Sequence, residues 1–470
     1  MFIEQIYTGC LAQGAYYIHS NGEGVIIDPL RETQPYIERA KRDGVKIKYI
    51  LETHFHADFV SGHLDLSKET GAKIVFGPNA TTTYDHYSAV DGEELHVGEL
   101  IIRVLHTPGH TMESTCYLLL DKYHNEIAVF TGDTLFIGDV GRPDLAQKAA
   151  AMTQVELAGL LYESLRNKLM TLPDTVTVYP AHGAGSACGK NMSKETVSTI
   201  GEQKLLNYAL RNDMTKEEFV KELTDGLLPP PGYFGMNVLM NKSGYDSIHQ
   251  VMVRGLNPLN IEAFELLANE TDALILDTRS ASDFASGHIP NSIFIGIDGQ
   301  FAPWVGALIP DVKQKIMLVT DVGREEETVK RLARVGYDHV LGYLDGGFFS
   351  WKNSGRVIEK VERITAEELE SNSEFLKLPI IDVRKPGEFE AEHLELASSL
   401  PLDFINDNFT SYPKSERIVL HCAGGYRSMI AASILKSRGY HDLVDVIGGY
   451  GALSKTTISK TNFVCPSTKK

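Results

Sequence analysis

Cysteine is scarce in this sequence: five residues in 470, at Cys10, Cys116, Cys188, Cys422 and Cys465. An odd, scattered set rules out a disulfide framework and contains no CxxC zinc knuckle. It leaves room for one reactive thiol among buried small hydrophobes. Basic charge is also in deficit, 45 Lys and Arg against 62 Asp and Glu, for a net charge of −17. That argues against a general role on nucleic acid or an anionic membrane. Long apolar runs are missing, so no segment reads as a membrane span. The opening MFIEQIYTGC has neither the basic segment nor the apolar stretch of a signal peptide. The expectation is a cytoplasmic protein without nucleic-acid or membrane partners. With 43% hydrophobic and 23% charged residues the chain has the composition of a soluble globular protein. Its length exceeds one ordinary core, and roughly two to four domains are expected.

Up to about residue 195, short runs rich in Val, Ile and Leu alternate with loops: GVIIDP (Gly24–Pro29), YILETH, AKIVFG, IIRVLHTPGH, IAVFTGD and TVTVYPAHG. Several end in Gly, His or Asp, as when a rigid sheet presents a site along one edge. Met152–Leu169 and Lys190–Gly226 read as helical. LLPPPGYFG (Leu227–Gly235) interrupts regular structure, since its prolines cannot continue a helix. It reads either as a linker or as a loop that lays Tyr233 or Phe234 over a substrate.

The remainder holds a diverged internal repeat. ALILDTRSASDFASGHIPNS (Ala273–Ser292) answers to LPIIDVRKPGEFEAEHLELA (Leu378–Ala397). KIMLVTDVGREEETVKRLARVGY (Lys315–Tyr337) answers to RIVLHCAGGYRSMIAASILKSRGY (Arg417–Tyr440), and LDGGFFSW (Leu344–Trp351) to IGGYGALS (Ile447–Ser454). Each copy reads as a compact α/β domain of roughly 100 residues.

Four strand ends carry metal-binding side chains: His54, His56 and Asp58 in THFHADFVSG, His110 in HTPGHT, Asp133 in FTGDTLF and His182 in YPAHG. Metal binding accounts for all four together. In chain order they resemble the metallo-β-lactamase superfamily over about residues 1–245, which implies an αββα sandwich with a metal at its edge. In the superfamily's dinuclear hydrolases a histidine follows the aspartate of HxHxD; here that position is Phe59, which cannot coordinate. The resemblance therefore points to one metal, held by His54, His110 and Asp133. Two imidazoles and one carboxylate with open positions suit non-haem Fe(II), one per chain. Within the superfamily this is similar to the persulfide dioxygenases, as is GDVGRPDL (Gly138–Leu145). His56, Asp58 and His182 then either hydrogen-bond ligands and substrate or coordinate directly. Arg142 either recognises a carboxylate or phosphate of the thiol carrier or forms an ordinary salt bridge. His63 and His106 read as structural.

HCAGGYRS (His421–Ser428) puts a cysteine between an apolar strand and a helix. Its glycines turn backbone N–H groups inward, and the positive end of the helix favours an anionic sulfur. With DVR (Asp382–Arg384) and Glu392–His393 the unit resembles a rhodanese, over about residues 362–456. The resemblance implies that Cys422 carries sulfane sulfur and that Arg427 holds the loop or the anion. The middle copy reads TDVGREEE, with Asp321 at the cysteine position and three glutamates beside it, so it is expected to be catalytically silent and architectural.

The expected plan is therefore α/β multidomain: a dioxygenase domain (1–245), an inactive rhodanese-like domain (255–357) and an active rhodanese (362–460). This resembles fused persulfide dioxygenase–sulfurtransferases of bacterial sulfide detoxification. Implied partners are a persulfide of glutathione, coenzyme A or a similar thiol, O2, and sulfite. A homo-oligomer is compatible with the sequence, but no feature specifies one. The alternatives are a zinc-dependent thioester or lactone hydrolase of the glyoxalase II type and a non-catalytic sulfur-relay protein.

Overall fold

A computed structural model describes residues 1–145, 147, 151–227 and 229–464; Cys465 and Leu228 lie outside them. Two compact units are present, 1–250 with 332–336, and 251–331 with 337–470. Among the described residues no helix is long and apolar enough to cross a membrane.

In the first unit two six-stranded sheets face each other. One takes Phe2–Thr8, Gln13–Ser20, Glu23–Ile27, Lys46–Leu51, Lys73–Phe76 and Tyr87–Ser88, in that spatial order. The other runs Ser198–Thr199, Thr177–Pro180, Glu126–Gly132, Thr115–Leu120, Leu100–His106 and Glu94–Val97. The period-two alternation of strands decides the layers. Tyr16 and Ile18 pack with Val104, Leu119 and Phe130 between the sheets. Their neighbours Ala15 and Tyr17 point outward and pack with Tyr36, Ala40 and Leu66 of helices Gln34–Arg42 and His63–Thr70. Behind the second sheet, Leu118 and Val178 meet Leu157-neighbour Ala158 and Leu161 of helix Gln154–Ser164, together with Phe219. That helix starts where Thr153 and Glu156 cap each other's backbone N–H. The result is the expected αββα sandwich. Lys190–Gly226 departs from expectation: among the described residues α-helices cover Ile200–Leu206 and Lys216–Thr224, with a 3-10 turn at Tyr208–Leu210 and a short strand at Ser198–Thr199. In the prolyl segment, helix Phe234–Ser243 begins directly after Tyr233.

The second unit contains two five-stranded parallel sheets of matching order. The first places Pro258–Leu259, Val340–Leu344, Ile316–Val319, Leu274–Asp277 and Ile293–Phe294 side by side; the second places Glu362–Ile364, Leu443–Val446, Ile418–His421, Ile380–Asp382 and Ala397–Ser399. Strand register corrects the sequence alignment by one residue. Thr278 N–H bonds to Val319 O as Val383 N–H bonds to His421 O. Thr320, not Asp321, therefore occupies the place of Cys422. Two loops of unlike sequence cannot fix their own offset, whereas the backbone hydrogen bonds of the preceding strands do.

Candidate active sites

The sheet edge gathers the predicted donors as the strand ends imply. His54 follows strand Lys46–Leu51, His110 follows Leu100–His106, Asp133 follows Glu126–Gly132 and His182 follows Thr177–Pro180. His54 Nε2 lies 3.8 Å and His110 Nε2 3.4 Å from Asp133 Oδ2. All three side chains are buried, and their ligand atoms form one cluster within 4.8 Å. Both Asp133 oxygens are buried without a hydrogen-bond partner, a costly state that a cation relieves. Close approach is possible because two neighbours are glycines. A Cβ on Gly132 would stand 2.6 Å from the Thr53 side chain, and one on Gly141 would overlap the Asp133 carbonyl.

The outer contacts fix the tautomers. His110 Nδ1 donates to the Arg142 carbonyl (2.8 Å), which turns the Nε2 lone pair toward Asp133. Asp28 accepts from the Thr53 N–H and hydroxyl, both at 2.8 Å, leaving the Thr53 oxygen to accept from His54 Nδ1 at 3.0 Å. Burial, with His56, His110 and His182 nearby, holds the His54 imidazole well below its usual range, in the neutral form that binds metal.

His56 stands apart from this cluster. Its ring stacks on Phe59 at 4.2 Å, and Nε2 faces Asp28 Oδ1 (3.1 Å) and Glu52 Oε2 (3.3 Å). Burial opposes its protonation, but the two carboxylates outweigh it and hold His56 well above its usual range. Asp58 and His182 lie on the far side of Asp133: His182 Nε2 is 3.4 Å from Asp58 Oδ2 and 3.6 Å from Asp133 Oδ1. Burial raises the Asp58 carboxyl. Cys188 joins these two residues, its thiol pushed well up by burial and by the charges of Asp58 and Asp133. Arg142 forms a bidentate salt bridge with Asp144 (2.7 Å for both bonds) and donates to Ala187 O. Tyr233 is buried with its ring edge-on to Phe234 at 5.0 Å.

In the second unit Cys422 is buried, and its sulfur accepts from the Gly425 N–H at 3.1 Å. Gly425, at φ +99°, starts helix Tyr426–Ser437. The loop is closed by Tyr450 N–H on Cys422 O (2.6 Å) and Gly451 N–H on Ala423 O (3.0 Å). A side chain on Gly449 would overlap the Cys422 carbonyl, so this close approach requires glycine there. Arg427 makes a bidentate pair with Glu388 at 2.6 and 2.8 Å.

Three comparisons bear on this geometry. Residues 8–182 match the metallo-β-lactamase superfamily model, and 261–354 and 365–456 each match the rhodanese-like domain. Human mitochondrial persulfide dioxygenase ETHE1 is 33% identical over 211 residues, 44% of this chain and 74% of that protein. The chain is a metallo-β-lactamase superfamily member carrying two rhodanese-like domains. A hydroxyacylglutathione hydrolase from Polaromonas is 31% identical over 191 residues, 39% of this chain and 66% of that protein. A solved metallo-β-lactamase from Staphylococcus aureus superposes with TM-score 0.65 at 30% identity, covering 73% of this chain and 98% of that one.

Around the metallo-β-lactamase centre, sequence reading missed several residues. Asp28 ends GVIIDP, a strand end of the kind already marked as informative. Glu52 sits inside YILETH. Asn241 had no local signal: it accepts from Ser61 N–H and donates to the His56 and Phe59 carbonyls, pinning the histidine loop from a helix 180 residues away in the chain. Glu388 in the rhodanese domain and Cys188 were likewise legible only in three dimensions.

Proposed function

We propose that the metallo-β-lactamase domain is a non-haem iron persulfide dioxygenase and that Cys422 is the carrier of a coupled sulfurtransferase, in sulfide detoxification. The observation that carries this reading is the His54, His110, Asp133 donor set, with His56 turned onto Phe59 and two carboxylates. Fe(II) bound there would supply O2 activation. The chain's own residues keep the His54 imidazole neutral and aim the Nε2 atoms of His54 and His110 toward Asp133. The overall balance is RSSH + O2 + H2O giving RSH, sulfite and two protons. At the second site Cys422 takes the outer sulfur of another RSSH, releasing RSH. Sulfite then takes that sulfur, giving thiosulfate and the free thiol. The Gly425 N–H and the start of helix Tyr426–Ser437 stabilise the sulfur anion through both steps. Keeping the two reactions on one chain raises the local concentration of sulfite.

The test is oxygen uptake by Fe(II)-loaded protein given a small-molecule persulfide, with sulfite and thiosulfate quantified. Uptake with thiosulfate as product, turning to sulfite in Cys422→Ser, is expected. Iron-loaded protein that consumes no oxygen across several carrier thiols would overturn the dioxygenase reading. The hydroxyacylglutathione hydrolase relative supports a second reading, thioester hydrolysis by zinc-loaded protein, which the same preparations can measure.

A further inference from the structure

Cys422, Ser428 and Asp445 form a chain of contacts behind the nucleophile loop, and all three are buried. Ser428 Oγ stands 2.5 Å from Asp445 Oδ1 and 3.5 Å from Cys422 Sγ, the second within the longer reach of a bond to sulfur. A hydroxyl carries one proton and cannot donate to both. With that proton on the carboxylate side, the Ser428 lone pairs are left to accept from a thiol. Sheet register sets the far end of the chain. Arg363 and Asp445 are partners on the adjacent parallel strands Glu362–Ile364 and Leu443–Val446. Arg363 Nε donates to Asp445 Oδ2 at 2.9 Å, which leaves Oδ1 for Ser428 on helix Tyr426–Ser437. The other charged or titratable groups beside Cys422 are engaged elsewhere. Arg427 is held by Glu388, and His421 turns Nδ1 to the Cys422 carbonyl (3.5 Å) and Nε2 to Asp382 (3.9 Å).

We propose that Asp445 is the base that ionises Cys422, acting through Ser428. The thiol proton passes to Ser428 Oγ as the hydroxyl proton passes to Asp445 Oδ1, leaving a thiolate, an intact hydroxyl and a neutral carboxyl. The hydroxyl then points its proton at the sulfur, where it joins the Gly425 N–H (3.1 Å) in holding the anion. The charge moves from carboxylate to sulfur with no net charge added to a buried site, so the step avoids a second desolvation cost. Burial pushes the Asp445 carboxyl up to about 6, against the bonds from Ser428 and Arg363. A base in that range suits proton transfer near neutral pH better than an ordinary aspartate does. The relay rests on the sulfur-carrier role proposed for Cys422 and gives that nucleophile a proton acceptor. The first rhodanese-like copy has Thr320 at the cysteine position and Tyr343 at the position of Asp445, so base and nucleophile are absent together.

The test is the pH profile of alkylation by iodoacetamide in reduced full-length protein, quantified on the Cys422 peptide by mass spectrometry. The wild-type rate is expected to rise in two steps, the first where Asp445 titrates, near pH 6, and the second at higher pH. Asp445→Asn and Ser428→Ala should each remove the first step and leave a single rise. Sulfur transfer to sulfite by either variant should fall by about 10^2-fold near neutral pH and recover as pH rises, because hydroxide then replaces the base. A merely structural role would lower transfer equally at every pH. A single rise in the wild type, or a first step that persists in either variant, would overturn the proposal. If Asp445→Asn does not fold, Ser428→Ala decides by the same profile. Alkylation needs no sulfur substrate. Two steps without any sulfur transfer would therefore sink the sulfurtransferase reading and leave the relay standing.

Discussion

The two rhodanese-like domains share a scaffold and differ in one loop. In the first copy Arg279 forks onto buried Asp277, bonds to Gly287 O and lies 4.0 Å over the Phe348 ring. In the second, Arg384 forks onto Asp382, bonds to Glu392 O and lies 3.9 Å over Tyr450. His288 stacks on Phe284 at 3.9 Å as His393 stacks on Phe389 at 3.6 Å. The loops diverge. Where the Gly425 N–H points at the Cys422 sulfur, the Gly323 N–H at the same place is taken by the Glu325 carboxylate at 2.9 Å. An internal anion thus occupies the position that favours a sulfur anion in the other copy. The first copy also touches the helix that follows the Cys422 loop: Tyr426 donates to Gly296 O, and Phe294 N–H bonds to Ser433 Oγ. The scaffold contacts are shared, and the contacts of this loop are not.

The sharpest way to break this comparison is at the nucleophile. Cys422→Ser should lower sulfur transfer to sulfite or cyanide by roughly 10^3-fold or more; retained transfer would mean that another residue carries the sulfur. Conversely, Thr320→Cys in that background should restore no transfer while Glu325 occupies the Gly323 N–H. Adding Glu325→Gln should make activity measurable. Activity in Thr320→Cys alone would show that the carboxylate is not what silences the copy.

Next in size is the shared scaffold. Asp277→Asn and Asp382→Asn each leave a buried arginine without its charge partner, at a cost of about 3–5 kcal/mol. Denaturant unfolding should show comparable losses for the two, and a large loss for only one would disprove their equivalence. The smallest effect is a pH dependence confined to the second copy, where Asp445 stands at the register position of Tyr343. Burial pushes the Asp445 carboxyl up to about 6, against bonds from Ser428 and Arg363 that lower it. The folded state therefore holds this proton more tightly than the unfolded chain does. The stability it contributes is complete below the ordinary aspartate value of 3.8 and is lost as pH rises through about 6. Asp445→Asn does not titrate, so it should gain on the wild type by up to ~3 kcal/mol across that window. A flat difference in unfolding free energy would assign the titration elsewhere.

Much of this was legible in the sequence because strand ends, glycine turns and a CxxGxR loop are local patterns. His54, His110, Asp133 and Cys422 stand at the ends of apolar runs, and a sheet must bring such ends to one edge. The repeat was legible from DTR and DVR, whose aspartates sit on equivalent strands. Its loop register was not, and Thr320 replaced Asp321 as the counterpart of Cys422 only when backbone pairing fixed the strands. The pairing of Arg142 with Asp144 was not legible either, although the two stand only two residues apart.

The sequence by itself determined the αββα sandwich, the rhodanese repeat and the donors at the strand ends, since alternation and strand termini are set by neighbours along the chain. Only the tertiary structure decided that His56 turns to Asp28 and Glu52, that Asn241 holds the histidine loop, that Glu388 clasps Arg427 and that Cys188 joins Asp58 and His182. Those are contacts between residues far apart in the chain. Their geometry depends on how the packed layers meet, which no local pattern encodes.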